Sequence, residues 1–199
     1  RVHEHIGALT PLLKELGESG ARSALRENSK DSPFYSAYMN AEPTYKNAQV
    51  SWKSRDFFLI DMEGNVLLTA ERRAELFSNL MSGPYSNTNL ARLYNKVKGA
   101  PAGTAELISL ELYPPTNRIE TFIAAPVITE GKHIGVIAMM ISYDVVNTIL
   151  MDYDGLGSTG ETYMINLADN IMRSDSRHIG QTILKQKVET EITKRAAEA

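Results

Sequence analysis

The sequence predicts an α+β fold: a five-stranded antiparallel sheet behind a long N-terminal helix, followed by the incomplete start of a second, similar module. Three observations lead there. Val2, Ile6, Leu9, Leu13 and Leu16 recur at helical spacing. Five strand-like runs follow between Asp56 and Ser142, interrupted by one helical stretch. Finally, FFLIDMEGNVL (Phe57 to Leu67) returns in outline as TYMINLADNIM (Thr162 to Met172), each reading as a strand, a tight turn and a second strand.

The first helix is expected from about Val2 to Leu25, with a bend at Pro11, whose ring and missing N–H oppose a regular helix. Its apolar seam can pack on a sheet or on a second copy of itself, which would give a homodimer through this helix. Glu27 to Trp52 carries Pro33, Pro43 and several tyrosines without a clean period, and reads as short helices and loops. Asp56 to Asp61 and Asn65 to Thr69 then flank the turn Asp61-Met62-Glu63-Gly64. Ser86-Asn87-Thr88-Asn89 offers N-caps for a helix with Leu90, Leu93, Tyr94 and Val97 on one face, closed by Gly99 and Pro101. Three strands follow: Ala105 to Tyr113, Arg118 to Thr129 and His133 to Ser142. The last two are apolar on both faces, as strands covered from both sides must be. Asp144 to Asp152 is expected to be an exit helix. Beyond the repeated hairpin, Ile183, Leu184, Val188 and Ile192 are spaced for another helix.

Composition excludes several function classes. A formal net charge of -3 with scattered lysines and arginines argues against nucleic-acid binding. With 43% hydrophobic residues the chain has the means to bury a core. The absence of cysteine removes thiolate metal sites, cysteine nucleophiles and disulfides. No apolar run approaches the roughly 20 residues needed to span a bilayer. Arg1 is not a natural start, so the chain reads as a fragment whose membrane segments lie outside it. His3 and His5 fall on different helix faces, and His133 and His178 are remote, so no metal site is expected. The loop Gly155 to Gly160 lacks the lysine of a P-loop and precedes a strand. Asp152, Asp154 and Asp175 have neither calcium-loop nor acid-base spacing. No nucleophile has a base in recognisable spacing. Neither catalysis nor a cofactor is expected.

Four segments carry a resemblance: FFLIDMEGNVLLT, NLMSGPYSNTNLARLYNKV, ELYPPTNRIETFIAAPVITEGKHIGVIAMMIS and GLGSTGETYMINLADNIMRSDSR. They resemble the PAS-like extracytoplasmic sensor fold called the Cache domain. The nearest likeness is the double Cache ectodomain of bacterial methyl-accepting chemotaxis receptors and of related sensor kinases and cyclases. In that family GETGETY followed by MRSDSR marks the passage from a membrane-distal to a membrane-proximal module. The resemblance implies residues 1-54 as helices and connections packing on the sheet, 55-153 as a complete distal module, and 154-199 as a linker and truncated proximal module. It further implies a periplasmic small-molecule sensor, most simply of a chemotaxis receptor. The alternatives are a kinase or cyclase sensor, or a soluble binding or interaction module of the same fold. A truncated module without its remaining strands should be poorly ordered, docked on the first, or completed by another chain.

In the resembled fold the ligand lies between the sheet and the cover joining its second and third strands. On the strand Ala105 to Tyr113, Ile108, Leu110 and Leu112 share a face opposite Leu107, Ser109, Glu111 and Tyr113. The mixed face suits a pocket wall with a few placed polar groups. Glu111 is then a partner for a ligand amine, Tyr113 and Phe122 are aromatic walls, Tyr85 closes from the cover, and Arg72 meets a carboxylate. Trp52 is the only tryptophan, and it lacks the arginine and tyrosine partners of amino-acid-binding Cache receptors, so amino acids are not the favoured ligands.

Overall fold

A computed structural model describes residues 1–197. The element order is α1 (Val2–Arg26), α2 (Pro33–Ser51), β1 (Asp56–Asp61), β2 (Val66–Thr69), α3 (Asn89–Val97), β3 (Glu106–Leu107), β4 (Glu111–Tyr113), β5 (Arg118–Thr129), β6 (Lys132–Ser142), α4 (Tyr143–Leu150), β7 (Ile165–Asn166), β8 (Ile171–Met172) and α5 (Glu191–Ala197). The main sheet is antiparallel in the order β2-β1-β6-β5-β3, with β4 also paired to β5. The five expected runs are present, the third of them divided in two.

Every residue of β1 is buried because the sheet is covered on both sides. Phe57 and Leu59 join Ile6, Leu9, Leu13, Phe34, Tyr38 and Phe77 on the side of α1 and α2. Phe58 and Ile60 join Leu90, Leu93, Tyr94, Val97 and Phe122 under α3. Ile6, Leu9 and Leu13 are thus turned onto their own sheet, and Leu16 alone of the seam is substantially exposed, at 40%. The break in α1 falls at Gly17 (φ 71, ψ 168) and not at Pro11, because glycine enters that backbone region without the steric cost of a Cβ.

The expectation of short helices and loops before Trp52 is corrected to one long helix. Ser32 caps α2 by accepting from the Tyr35 N–H, and Pro33 occupies its first turn, where a missing N–H costs nothing. Phe34, Tyr38, Ala41 and Tyr45 form its buried stripe at helical spacing. At α3 the expected cap is Thr88, whose hydroxyl accepts from the Ala91 N–H.

The third run departs from a continuous strand in a way that matters for the site. Leu107 is opposite Ile123, and Glu111 is opposite Glu120, so four steps on one strand match three on the other. This extra residue is a bulge, and it inverts the alternation. Leu110 and Tyr113 are both buried, while Leu107 and Leu112 are 61% and 56% exposed. The expected partition of Ile108, Leu110 and Leu112 against Leu107, Ser109, Glu111 and Tyr113 is therefore corrected.

The second hairpin forms as β7 and β8 and is docked on the first module. Arg173 and Asn166 both donate to the Ser109 hydroxyl, at 2.9 and 3.3 Å. Tyr143 of α4 donates to the Asp175 carboxylate. The MRSDSR segment is a connector: Arg177 donates to the carbonyls of Gly157 and Gly160, and Asp175 accepts from the N–H groups of Thr182 and Ile183. The helix expected from Ile183 to Ile192 is corrected, since α5 begins only at Glu191. The preceding backbone is committed to the hairpin instead, with Leu184 N–H bonded to Met172 O and Val188 N–H to Asn170 O.

Candidate ligand-binding site

The segment between β2 and α3 packs Leu76 and Phe77 with α1 and α2 and Leu80 and Tyr85 with α3, and a buried ionic cluster lies where it meets the sheet. Asp56, at the start of β1, is fully buried; its carboxylate accepts from Arg73 Nε at 2.7 Å and from the N–H groups of Phe57 and Glu71 at 2.7 and 3.2 Å. Arg73 also donates to the Arg55 carbonyl. Glu75, on the covering segment and fully buried, accepts from the Tyr113 hydroxyl at 2.9 Å through one oxygen, while the other oxygen has no partner. Glu120, buried in β5, lies 3.5 Å from Arg55 Nε and accepts from Thr116 at 3.4 Å, again with its second oxygen unpartnered. Asn89 of α3 ties the cover to this strand by donating to the Glu120 carbonyl.

Burial raises all three carboxyls. Asp56 is pushed up to about 7 against the opposing pull of Arg73 and two N–H donors. Glu75 is raised by burial against its own N–H, Tyr113 and Arg73, and Glu120 by burial against Arg55 and Arg73. Tyr113 is held well above its usual value by burial and by the Glu75 carboxylate. Fully ionised, Asp56, Glu75 and Glu120 outweigh Arg55 and Arg73 by one negative charge.

The expected site residues divide between locations. Tyr113 and Phe122 pack edge to face at 4.9 Å, and Phe122 continues onto Phe58 at 5.8 Å. Tyr85 is partly buried on the cover and packs against the same core. Glu111 is near this wall but at its edge, ion-paired with Arg92 of α3. Arg72 is turned the other way, its guanidinium on Glu42 of α2 at 2.6 Å and 5.5 Å from the Tyr38 ring. The backbone sets these opposite directions: Arg72 stands at φ 49, and the next residue turns back toward Asp56.

Asp56, Arg73, Glu75 and Glu120 were not among the expected residues. Glu120 carried a signal, being a lone carboxylate inside the apolar run IETFIAAPVI. Arg73 and Glu75 stand in ERRAEL, which by composition reads as wet surface. A concavity of about 360 Å³ opens on the helix side beside Trp52, Phe57, Ile123, Ile137 and Met139; its lining is apolar and holds no group to orient a polar ligand. Among the described residues no group of histidines and carboxylates is arranged to hold a metal, and no helix is long and apolar enough to cross a membrane.

No family model and no curated protein matches the sequence. Solved structures do. The ligand-binding domain of the Pseudomonas fluorescens chemoreceptor CtaA, in complex with L-serine, aligns at TM-score 0.52 and 13% identity, covering 93% of this chain and 71% of that one. The extracellular domain of mmHK1S-Z3, assigned as a histidine kinase, aligns at 0.55 and 14%, covering 81% and 64%. An extracellular ligand binding receptor from Desulfohalobium retbaense aligns at 0.53 and 11%, covering all of this chain and 34% of its own. The chain thus spans from about a third to seven tenths of the length of these structures. With its leading helices, its sheet order and its covered sheet face, the chain has the fold of the Cache-type sensor domains of chemoreceptors and histidine kinases.

Proposed function

We propose that this chain is the ligand-binding sensor region of a bacterial transmembrane receptor, with residues 55-153 as its distal, ligand-receiving module and 154-199 as the beginning of a proximal one. The observation that carries the reading is the buried ionic cluster between cover and sheet. A protein that needed only stability would carry apolar groups at these positions, because buried ion pairs with unsatisfied oxygens contribute little or nothing net. Polar groups held in a mostly apolar wall are what orients a small ligand. The shared fold with CtaA, a chemoreceptor domain solved with amino acids, supports a small molecule as the ligand class. A chemotaxis output is the simplest context, and a kinase output has equal support from the fold. The receptor's membrane segments and periplasmic placement belong to the same proposal.

The test is a thermal-shift screen against small metabolites, where a ligand at one hundred times its Kd adds about 2.7 kcal/mol. Hits should be weakened by about 1 to 3 kcal/mol in Tyr113→Phe or Glu75→Gln if these groups touch the ligand. Glu111→Ala should weaken an amine and Arg72→Ala only an anion that reaches the helix side. Hits unaffected by every one of these substitutions would remove the site.

A further inference from the structure

We propose a separate binding site on the α1 side of the molecule, a hollow that takes a phosphate group, either free or carried by a small metabolite. It goes beyond the sensor reading and shares no residue with the wall formed by Tyr113 and Phe122. Past the break at Gly17, Ser19, Arg22, Ser23 and Arg26 follow one another at i, i+3, i+4 and i+7, which sets two hydroxyls and two guanidinium groups on one face of α1. Arg72, Leu76 and Phe77 of the cover complete the lining of a concavity of about 570 Å³. Three arginines and no carboxylate line it.

The guanidinium groups are anchored without being used up. Arg22 donates through Nε to Glu18 and through Nη2 to the carbonyls of Ala74 and Leu76, which ties α1 to the cover, and it lies 5.9 Å from the centre of the Phe77 ring. Arg72 gives Nε and Nη2 to Glu42. Arg26 gives Nη2 to Glu27. Among the described residues, Nη1 of all three donates to no group. Arg72 at φ 49 and Phe77 at φ 65 both stand in the left-handed region, which bulky side chains seldom occupy and which the surrounding structure must hold. That backbone brings both of them to the hollow.

Local charge favours an anion by a narrow margin, and donor geometry selects which anion. Glu18, Glu27 and Glu42 pair with Arg22, Arg26 and Arg72, and Lys46 shares Glu42, so four cations meet three carboxylates and one positive charge is left over. Further out, Lys53 and Glu71 offset each other, as do Lys30 and Asp31. Arg73 is turned to Asp56 and Glu75 to Tyr113. The pairs of Arg22 with Glu18 and of Arg26 with Glu27 are exposed, so water already weakens them and an arriving anion competes for the same guanidinium groups. A carboxylate holds its two oxygens in one plane and is satisfied by a single fork, as Glu42 is on Arg72. Donors converging from α1 and from the cover suit a tetrahedral oxyanion, whose terminal oxygens point in several directions.

The experiment is an NMR titration of the wild-type chain with inorganic phosphate and, separately, with glycerol phosphate, read at the arginine Nε–H and backbone amide resonances. Ionic strength is held constant with sodium chloride, which removes general screening from the comparison. The expected result is saturable shifts at Arg22, Arg26 and Arg72 and in the amides of residues 72–77, with Tyr113 and Phe122 unmoved. Arg26→Gln alters a side chain that is 77% exposed, so the fold is kept. It should weaken binding about tenfold, the loss of one hydrogen bond to a charged group. Lys53→Gln removes the same charge outside the hollow and should change binding by less than about twofold. Whichever of the two ligands binds more tightly identifies the source as free phosphate or a phosphate ester. Shifts that do not saturate, equal weakening by Arg26→Gln and Lys53→Gln, or perturbations centred on Tyr113 and Phe122 overturn the proposal, and each of these leaves the sensor reading standing.

Discussion

Asp56 opens a strand whose every residue is buried, and three converging donors make its charge tolerable there. Asp56→Ala strands Arg73 beside the core, and urea unfolding near neutral pH should register a loss of about 3 to 5 kcal/mol. The loss should be larger in acid. Asp56 itself is raised to about 7, so the part of its stabilisation that depends on its proton is present below its unfolded value and fades as pH rises through about 7. At this scale a polar site residue was legible where it clashed with its neighbours. Glu120 stands out against an apolar strand, whereas Arg73 and Glu75 sit among charged neighbours that do reach solvent, and nothing local separates them. Phe122 was legible as an inward aromatic because its strand was, whereas the bulge ahead of Tyr113 was not. The opposite aim of Arg72 depends on a single left-handed residue that no pattern announces.

Elements with strong periodicity or turn chemistry were read close to their final bounds, notably β1, β5 and α3. The failures have physical causes. An aromatic stripe interrupted by Pro43 hid α2, and a one-residue bulge hid the division of the third run, because both faces of Ala105 to Tyr113 carry apolar residues. The α5 error came from apolar spacing that the hairpin backbone overrides with its own hydrogen bonds. Close approach between elements also makes a prediction. A Cβ at Gly135 would stand 2.3 Å from the Ile60 carbonyl oxygen and 3.0 Å from Ile6 of α1. Gly135→Ala should therefore cost about 1 to 3 kcal/mol in denaturant unfolding by forcing β1, β6 and α1 apart. No change in the denaturation midpoint would mean that this three-way contact is looser than described.

Across the whole molecule, two large clusters of buried residues lie on opposite faces of one sheet, and the second hairpin hangs on the first module through Ser109, α4 and the Asp175 contacts. Few large apolar groups are buried after α4, Met172 and Ile183 among them. Amide exchange should consequently be earliest in residues 155–197 and latest in the central strands β5 and β6. Equal protection would mean that the second hairpin is as stable as the sheet it leans on. The sensor reading itself turns on where a ligand goes. The most direct measurement is chemical-shift mapping of the strongest hit from the metabolite screen on the wild-type chain. Perturbations are expected at Tyr113, Phe122, Tyr85 and the covering segment around Glu75, with the tail hairpin unmoved; perturbations confined to the tail or to the groove beside Trp52 would contradict a site under the cover.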